Sequence, residues 1–215
     1  MKAVLFDFDG TLADTLPLCY KAFQHVFETF DQRSLSEADI RGMFGPSETG
    51  IIRDNLENSR VEEAIEAYYD VYEREHAAFV QQEPALTELV QVMKEQGWLL
   101  GIVTGKAQRS LDLSLDALGL REYIDVEVSG DDVATPKPHP EGLELALNQL
   151  GVAAHEAVYV GDSDADFEAG ARAGMKTIGV RWLPGYEPAA WTQTPDFTCD
   201  STKSWAGTLA ACMKA

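Results

Sequence analysis

The chain opens Met1-Lys2-Ala3-Val4-Leu5-Phe6-Asp7-Phe8-Asp9-Gly10-Thr11-Leu12-Ala13-Asp14-Thr15. Ala3 to Phe6 is a short, unbroken apolar run, the pattern of a strand buried on both faces. It ends in an acid, Asp7, and a second acid, Asp9, follows two residues on before Gly10 and Thr11 turn the chain. Extended geometry over these residues turns Asp9 to the same side as Asp7. Carboxylates at the carboxyl end of a buried strand lie where open α/β sheets place their ligands. Burying charge without a partner is costly, and a divalent cation is an economical partner for two nearby carboxylates.

Outward from this stretch, strands and helices alternate. Apolar runs ending at Val103 (from Trp98), Val128 (from Tyr123), Val160 (from Ala157) and Val180 (from Lys176) read as strands. Helical patterns cover Thr87–Gln96, Gln108–Leu118, Pro140–Leu150 and Ala165–Ala173, each stopped by a glycine. A short strand near Phe197 and a helix from Thr202 to Met213 close the chain. This alternation predicts crossover units on a parallel sheet, an α/β fold of Rossmann-like type. Between Asp14 and Glu83 the rhythm is interrupted. Helices are predicted over Pro17–Phe30, from a Ser36 cap, over Ser47–Leu56 and over Val61–Phe79, with no convincing strand. The expected organisation is a core of residues 1–14 and 83–215 and an inserted helical unit of residues 15–82, with a hinge at the two junctions.

With 215 residues, 45% of them hydrophobic and 25% charged, the chain has the make-up of a globular protein with a real core. Its 17 basic and 36 acidic residues give a formal charge of −19. A nucleic-acid binder needs a basic face and an anionic membrane attracts one, so neither partner is expected. The acidity repels anionic substrates as well, so each cation near the site gains importance. Cys19, Cys199 and Cys212 are odd in number and unclustered, which reads as reduced thiols in a cytoplasmic protein. No secretory leader and no run of about 20 apolar residues is visible.

Four motifs stand at strand ends. They are Asp7-Phe8-Asp9-Gly10-Thr11, Thr104-Gly105-Lys106, Lys137-Pro138-His139-Pro140 and Gly161-Asp162-Ser163-Asp164-Ala165-Asp166. Asp7 reads either as a turn or metal residue or as a carboxylate nucleophile. Asp9 sits where one carboxyl could give a proton to a leaving alkoxide and later take one from water. Thr104 precedes a helix and reads as its cap, as a phosphate ligand, or as both. Lys106 either reaches the pocket or is solvated. Lys137, braced by prolines on both sides, is an unusual surface lysine and reads as a fixed cation.

In this order the motifs resemble those of the haloacid dehalogenase superfamily, in its phosphoglycolate phosphatase-like and β-phosphoglucomutase-like branch. The resemblance implies the fold just described, with the insertion as its helical cap. It implies that Asp7 is the nucleophile, that Asp9 is the acid–base group, and that Thr104, Gly105 and Lys137 hold phosphate. Magnesium would be bound by Asp7, by the backbone carbonyl of Asp9 and by Asp162, with Asp166 either a ligand through water or the partner that orients Lys137. Family dehalogenases lack an acid at the Asp9 position, which argues for phosphate chemistry. Relatives of the phosphoglycolate phosphatase type often carry Asn where Gly105 stands, so that amide contact is missing here. Asp164 reads as helix-start chemistry.

Substrate choice is expected in the cap, at Thr15, Arg41, Phe44, Gly45, Pro46, Ser47, Glu48 and Arg53. Ser47 could equally be an ordinary helix cap. An arginine there would meet a substrate carboxylate or second phosphate. The implied activity is a magnesium-dependent phosphatase for a small phosphorylated metabolite, working through an aspartyl-phosphate. The rivals are a sugar phosphomutase or pyrophosphatase of the same fold and, with the intact motif set least favoured, a non-catalytic phosphate-binding regulator.

Overall fold

The computed structural model describes residues 2–184, 186 and 190–214. Six strands form one parallel sheet: β1 (Ala3–Phe6), β2 (Leu99–Val103), β3 (Val126–Val128), β4 (Ala157–Gly161), β5 (Lys176–Val180) and β6 (Phe197–Cys199), in the order β3-β2-β1-β4-β5-β6. The opening stretch is therefore the centre of the sheet. Order reverses at β1, between β2 on one side and β4 on the other, and such a reversal opens a crevice at the strand ends.

The pleat sorts β1 between two cores. Val4 and Phe6 join a large apolar cluster with Leu100, Ile102, Val158 and Val160, while Ala3 and Leu5 face Val126, Val128, Leu143 and Tyr159. The helices that cover these faces are α5 (Pro84–Glu95), α6 (Gln108–Leu118), α7 (Glu141–Leu150), α8 (Asp164–Arg172) and α9 (Trp205–Cys212). Both faces are closed, as a parallel sheet requires.

Residues 16–79 hold four helices and no strand: α1 (Leu16–Asp31), α2 (Glu37–Arg41), α3 (Glu48–Asn55) and α4 (Val61–Phe79). α1 packs along α4, and α4 reaches α6. Phe23 meets Tyr68 with ring centroids 4.7 Å apart, and buried rings of this size each contribute about 1.5–3 kcal/mol. Ser36 caps α2 with Asp39 in a reciprocal capping box, as its sequence suggests.

The differences from expectation are local. β3 is shorter than Tyr123–Val128 because Arg121–Tyr123 close a 3-10 turn first. Helix α5 begins at Pro84, where a proline is at home in a first turn. Ahead of α9, Thr202–Ser204 form a separate 3-10 turn. No described helix is long and apolar enough to cross a membrane.

Candidate active site

A cavity of roughly 440 Å³ opens where the carboxyl ends of β1, β2 and β4 meet α1 and the α2–α3 loop. Asp7 extends β1 by one rung, its N–H donating to the Val160 carbonyl at 2.8 Å. Past Phe8 the chain leaves extended geometry, because the N–H groups of Thr11 and Leu12 both return to the Phe8 carbonyl. Trp182 Nε1 donates to the Thr11 carbonyl at 2.7 Å and fixes this turn. Asp162 closes β4 within reach. Gly10 has φ +80°, and a Cβ there would stand 2.6 Å from Asp162 Oδ2, so both the conformation and the approach need glycine.

Asp7, Asp162 and Asp166 are buried and bring carboxylate oxygens within 4.8 Å of one another. Burial pushes the Asp7 carboxyl up to about 7, against the pull of Lys137 and with the help of Asp166 and Asp9. Burial and the neighbouring Asp166 and Asp7 push Asp162 up to about 8. Asp7 and Asp162, two buried acids that resist ionisation together, with Asp166 beside them, are a donor set for a hard divalent cation, and their oxygens suit magnesium.

Asp166 is largely committed to protein partners. Its Oδ1 receives the Lys137 ammonium at 2.6 Å and lies 3.0 Å from the Tyr159 hydroxyl, while Oδ2 accepts from Ser163 N at 3.0 Å and Ser163 Oγ at 2.5 Å. The tuck depends on Gly161, where a Cβ would fall 2.5 Å from Asp166 Cβ. Of the two readings of Asp166, this geometry supports the one that orients Lys137. The lysine reaches on to Asp7 Oδ1 at 2.9 Å.

Asp9 lines the same cavity, but its carboxylate turns away from the acidic cluster, to the Thr15 hydroxyl and to the Lys106 ammonium, 3.2 Å away. Lys106 is fully buried and meets Glu48 Oε1 at 3.2 Å as well. Glu48 comes from the first turn of α3. Its second oxygen accepts the N–H of Ala107, and Ser110 Oγ donates to the first at 2.6 Å. Thus the start of α6 is already occupied by a carboxylate.

That occupancy corrects part of the sequence reading. The amides opening α6 are not free for phosphate: Ala107 donates to Glu48, and Gln108 to Asp131 Oδ2 at 2.9 Å. Thr104 N–H is spent on the Val128 carbonyl, and its hydroxyl accepts from Lys106 N–H at 3.3 Å. Thr104 and Gly105 do line the cavity. Ser47 sits at the cap position of α3, yet its hydroxyl donates to Asp131 at 2.7 Å, across the interface with the β3–α7 loop. Thr15 is fully buried behind Asp9.

Arg53 does not reach the site. It is exposed and pairs with Glu62 at 2.5 Å, because its place in α3 points it to α4. Arg41 stands at the cavity mouth, its Nε donating to the Tyr20 hydroxyl at 3.1 Å. Asp164 stands in the first turn of α8, where its charge complements the helix start, and its carboxylate also accepts from Thr192 and Gln193.

Sequence reasoning missed two residues from the chain's tail. Tyr186 donates to Asp162 Oδ2 at 2.6 Å, and Trp191 Nε1 to the Asp162 carbonyl at 2.6 Å. Neither residue stands in a helix or strand, and the sequence signal around them was aromatic content alone.

A model of the haloacid dehalogenase-like hydrolases matches residues 4–180. The chain belongs to that family. It is 36% identical over 200 residues to the pyrophosphatase PpaX of Bacillus cereus, covering 93% of this chain and 92% of that one. Its fold matches CbbY from Rhodobacter sphaeroides in complex with phosphate, at 25% identity, TM-score 0.80 and 99% of both chains. It also matches a predicted phosphoglycolate phosphatase from Haemophilus somnus, at 22% identity, TM-score 0.80 and 96% and 97% coverage. The chain is a family hydrolase with the site of a phosphatase.

Proposed function

We propose that the protein hydrolyses the phosphate monoester of a small metabolite, and that residues 15–82 serve as the cap that closes over it. The observation that carries this reading is the Lys137 ammonium, 2.9 Å from Asp7 and 2.6 Å from Asp166, beside a buried triad of acids. A nucleophilic carboxylate with a fixed cation at hydrogen-bond distance is what phosphoryl transfer needs.

Asp7 and Asp162, with the backbone of Asp9, would hold magnesium. The ion would supply positive charge against the phosphoryl oxygens. Lys137 would neutralise the same group, and Asp166 with Tyr159 keeps it aimed. An Asp7 oxygen bonds to phosphorus as the bond to the ester oxygen breaks, and that oxygen leaves with the proton of Asp9. Water then attacks the phosphorus, returns a proton to Asp9, and frees Asp7 and inorganic phosphate. The Lys106 ammonium and the Thr15 hydroxyl fix Asp9 for both transfers.

The name of the Bacillus relatives favours pyrophosphate as the second reading. The unbridged state of all three cysteines supports a reducing, cytoplasmic location. The test is inorganic phosphate release from a panel of phosphorylated metabolites and pyrophosphate, with and without magnesium, for the wild type and Asp7→Asn. Magnesium-dependent release that the variant lacks supports the reading. Isomerisation of a sugar phosphate without release would replace it with a mutase.

A further inference from the structure

We infer that the leaving-group side of this site selects phosphate esters of uncharged, largely apolar alcohols and turns away substrates carrying a second anionic group. The inference deepens the phosphatase reading and rests on it.

Two independent observations carry it. The first is the apolar part of the cavity lining that residues 16–51 supply, beside the charged Arg41 and Glu48. It is built by Leu16, Cys19, Tyr20 and Phe23 of α1, with Phe44 and Ile51 from around the α2–α3 loop. Its polar atoms are few and already engaged. The Tyr20 hydroxyl is taken by Arg41, and the Cys19 thiol lies 3.6 Å from the Lys106 ammonium. A hydroxyl-rich or charged leaving group would be stripped of water there without replacement partners, whereas an apolar one gains from burial.

The second observation is the charge beneath that wall. Lys106 is the buried cation on this side, and it is shared by two carboxylates at equal distance, Asp9 and Glu48, each 3.2 Å away. It also lies 4.6 Å from the Tyr72 ring centre. Both acids are engaged with that ammonium, so it offers no uncommitted positive charge to a substrate. An incoming carboxylate or second phosphate finds no free ammonium and meets Glu48. Arg41 is the cation such a group would need, but it is exposed at the mouth, where water and salt weaken its pull.

The reaction so assigned is ester plus water giving alcohol and inorganic phosphate. The phosphorus–oxygen bond breaks, and the alcohol leaves with its proton from Asp9. The contrast is with pyrophosphate, with 2-phosphoglycolate, and with sugar bisphosphates such as the xylulose-1,5-bisphosphate held by a CbbY variant of the same fold.

The experiment compares kcat/KM for 2-phenylethyl phosphate, pyrophosphate, 2-phosphoglycolate and a sugar bisphosphate, with magnesium. The expected order puts 2-phenylethyl phosphate at least about tenfold ahead of each anionic competitor. Glu48→Gln removes the second negative charge and is expected to cut that ratio by about tenfold. Phe44→Lys, at an exposed position on the cavity edge, is expected to cut it in the same direction and covers the case in which the buried Glu48 variant fails to fold. The inference is overturned if any anionic competitor matches or beats the apolar ester. A ratio that neither variant moves overturns it too. No phosphate release from any compound would remove the phosphatase reading itself, a result distinct from release with the opposite preference.

Discussion

Asp166 Oδ1 lies 2.6 Å from the ammonium of Lys137, in a pocket where the aspartate is fully buried. The pair sets where positive charge is presented to Asp7. With Asp166 changed to Asn the partner loses its charge but keeps its shape and can still accept from Ser163. The ammonium is then drawn more strongly to Asp7 and loses its aim. Phosphate release is expected to fall about 10–100-fold, the usual effect of losing a supporting partner at a site of this kind, while the circular dichroism spectrum stays that of the wild type. Unchanged turnover would show that Lys137 needs no such support.

Lys106 joins two parts of the chain that are far apart in sequence, Asp9 at the end of β1 and Glu48 in α3. Lys106→Met would strand the buried carboxylate of Glu48 and the part-buried one of Asp9. Breaking a buried pair by deleting one partner typically costs about 3–5 kcal/mol. Urea unfolding is expected to show a loss of that order. Adding Glu48→Gln should return part of it, because one of the stranded charges is then gone. If the double variant is no more stable than the single one, Glu48 and Lys106 are not energetically coupled.

The fold was legible because the strands are near-pure apolar runs and because the stops at Gly119, Gly151 and Gly174 all adopt positive φ. Asp7, Asp162 and Lys137 were legible for a related reason: each is fixed by local chain geometry at a strand end or between prolines. Glu48, Asp131 and Tyr186 act through contacts 59, 84 and 24 residues away, and no local pattern encodes such a partner. Arg53 illustrates the converse. Its position in the cap was compatible with the site, but helical phase sends it to Glu62 instead.

The acidic triad makes stability depend on pH and metal together. Asp7 rises from 3.8 to about 7 and Asp162 from 3.8 to about 8, with burial the first cause in both. Their folded values exceed the unfolded ones, so the metal-free fold binds more protons than the unfolded chain between pH 4 and 8. Its stability falls across that window, by up to about 1.4 kcal/mol per pH unit for each carboxyl, Asp7 contributing to about pH 7 and Asp162 to about pH 8. A divalent cation competes with those protons and offsets the crowding when they are gone. The rise in Tm on adding magnesium is therefore expected to be larger at pH 8 than at pH 5.5. A rise that is equal at both, or larger in acid, would show that these carboxyls are not the ones that receive the ion.

Asp9 is assigned two proton transfers, and substrates that differ in leaving group can separate them. Asp9→Asn keeps the size of the side chain and a hydrogen bond to Thr15, but has no acidic proton to give and no base to take one. With 4-nitrophenyl phosphate the departing phenolate needs no proton, so Asp7 should still be phosphorylated. Hydrolysis of that intermediate lacks its base and should slow by about 10²–10⁴-fold. The expected record is a burst of nitrophenolate close to one equivalent per enzyme, then a slow steady rate, with the protein heavier by one phosphoryl group in its intact mass. With 2-phenylethyl phosphate, whose alkoxide must be protonated to leave, the burst should disappear. A burst with both substrates would confine Asp9 to the second step, and wild-type turnover with both would remove it from proton transfer altogether.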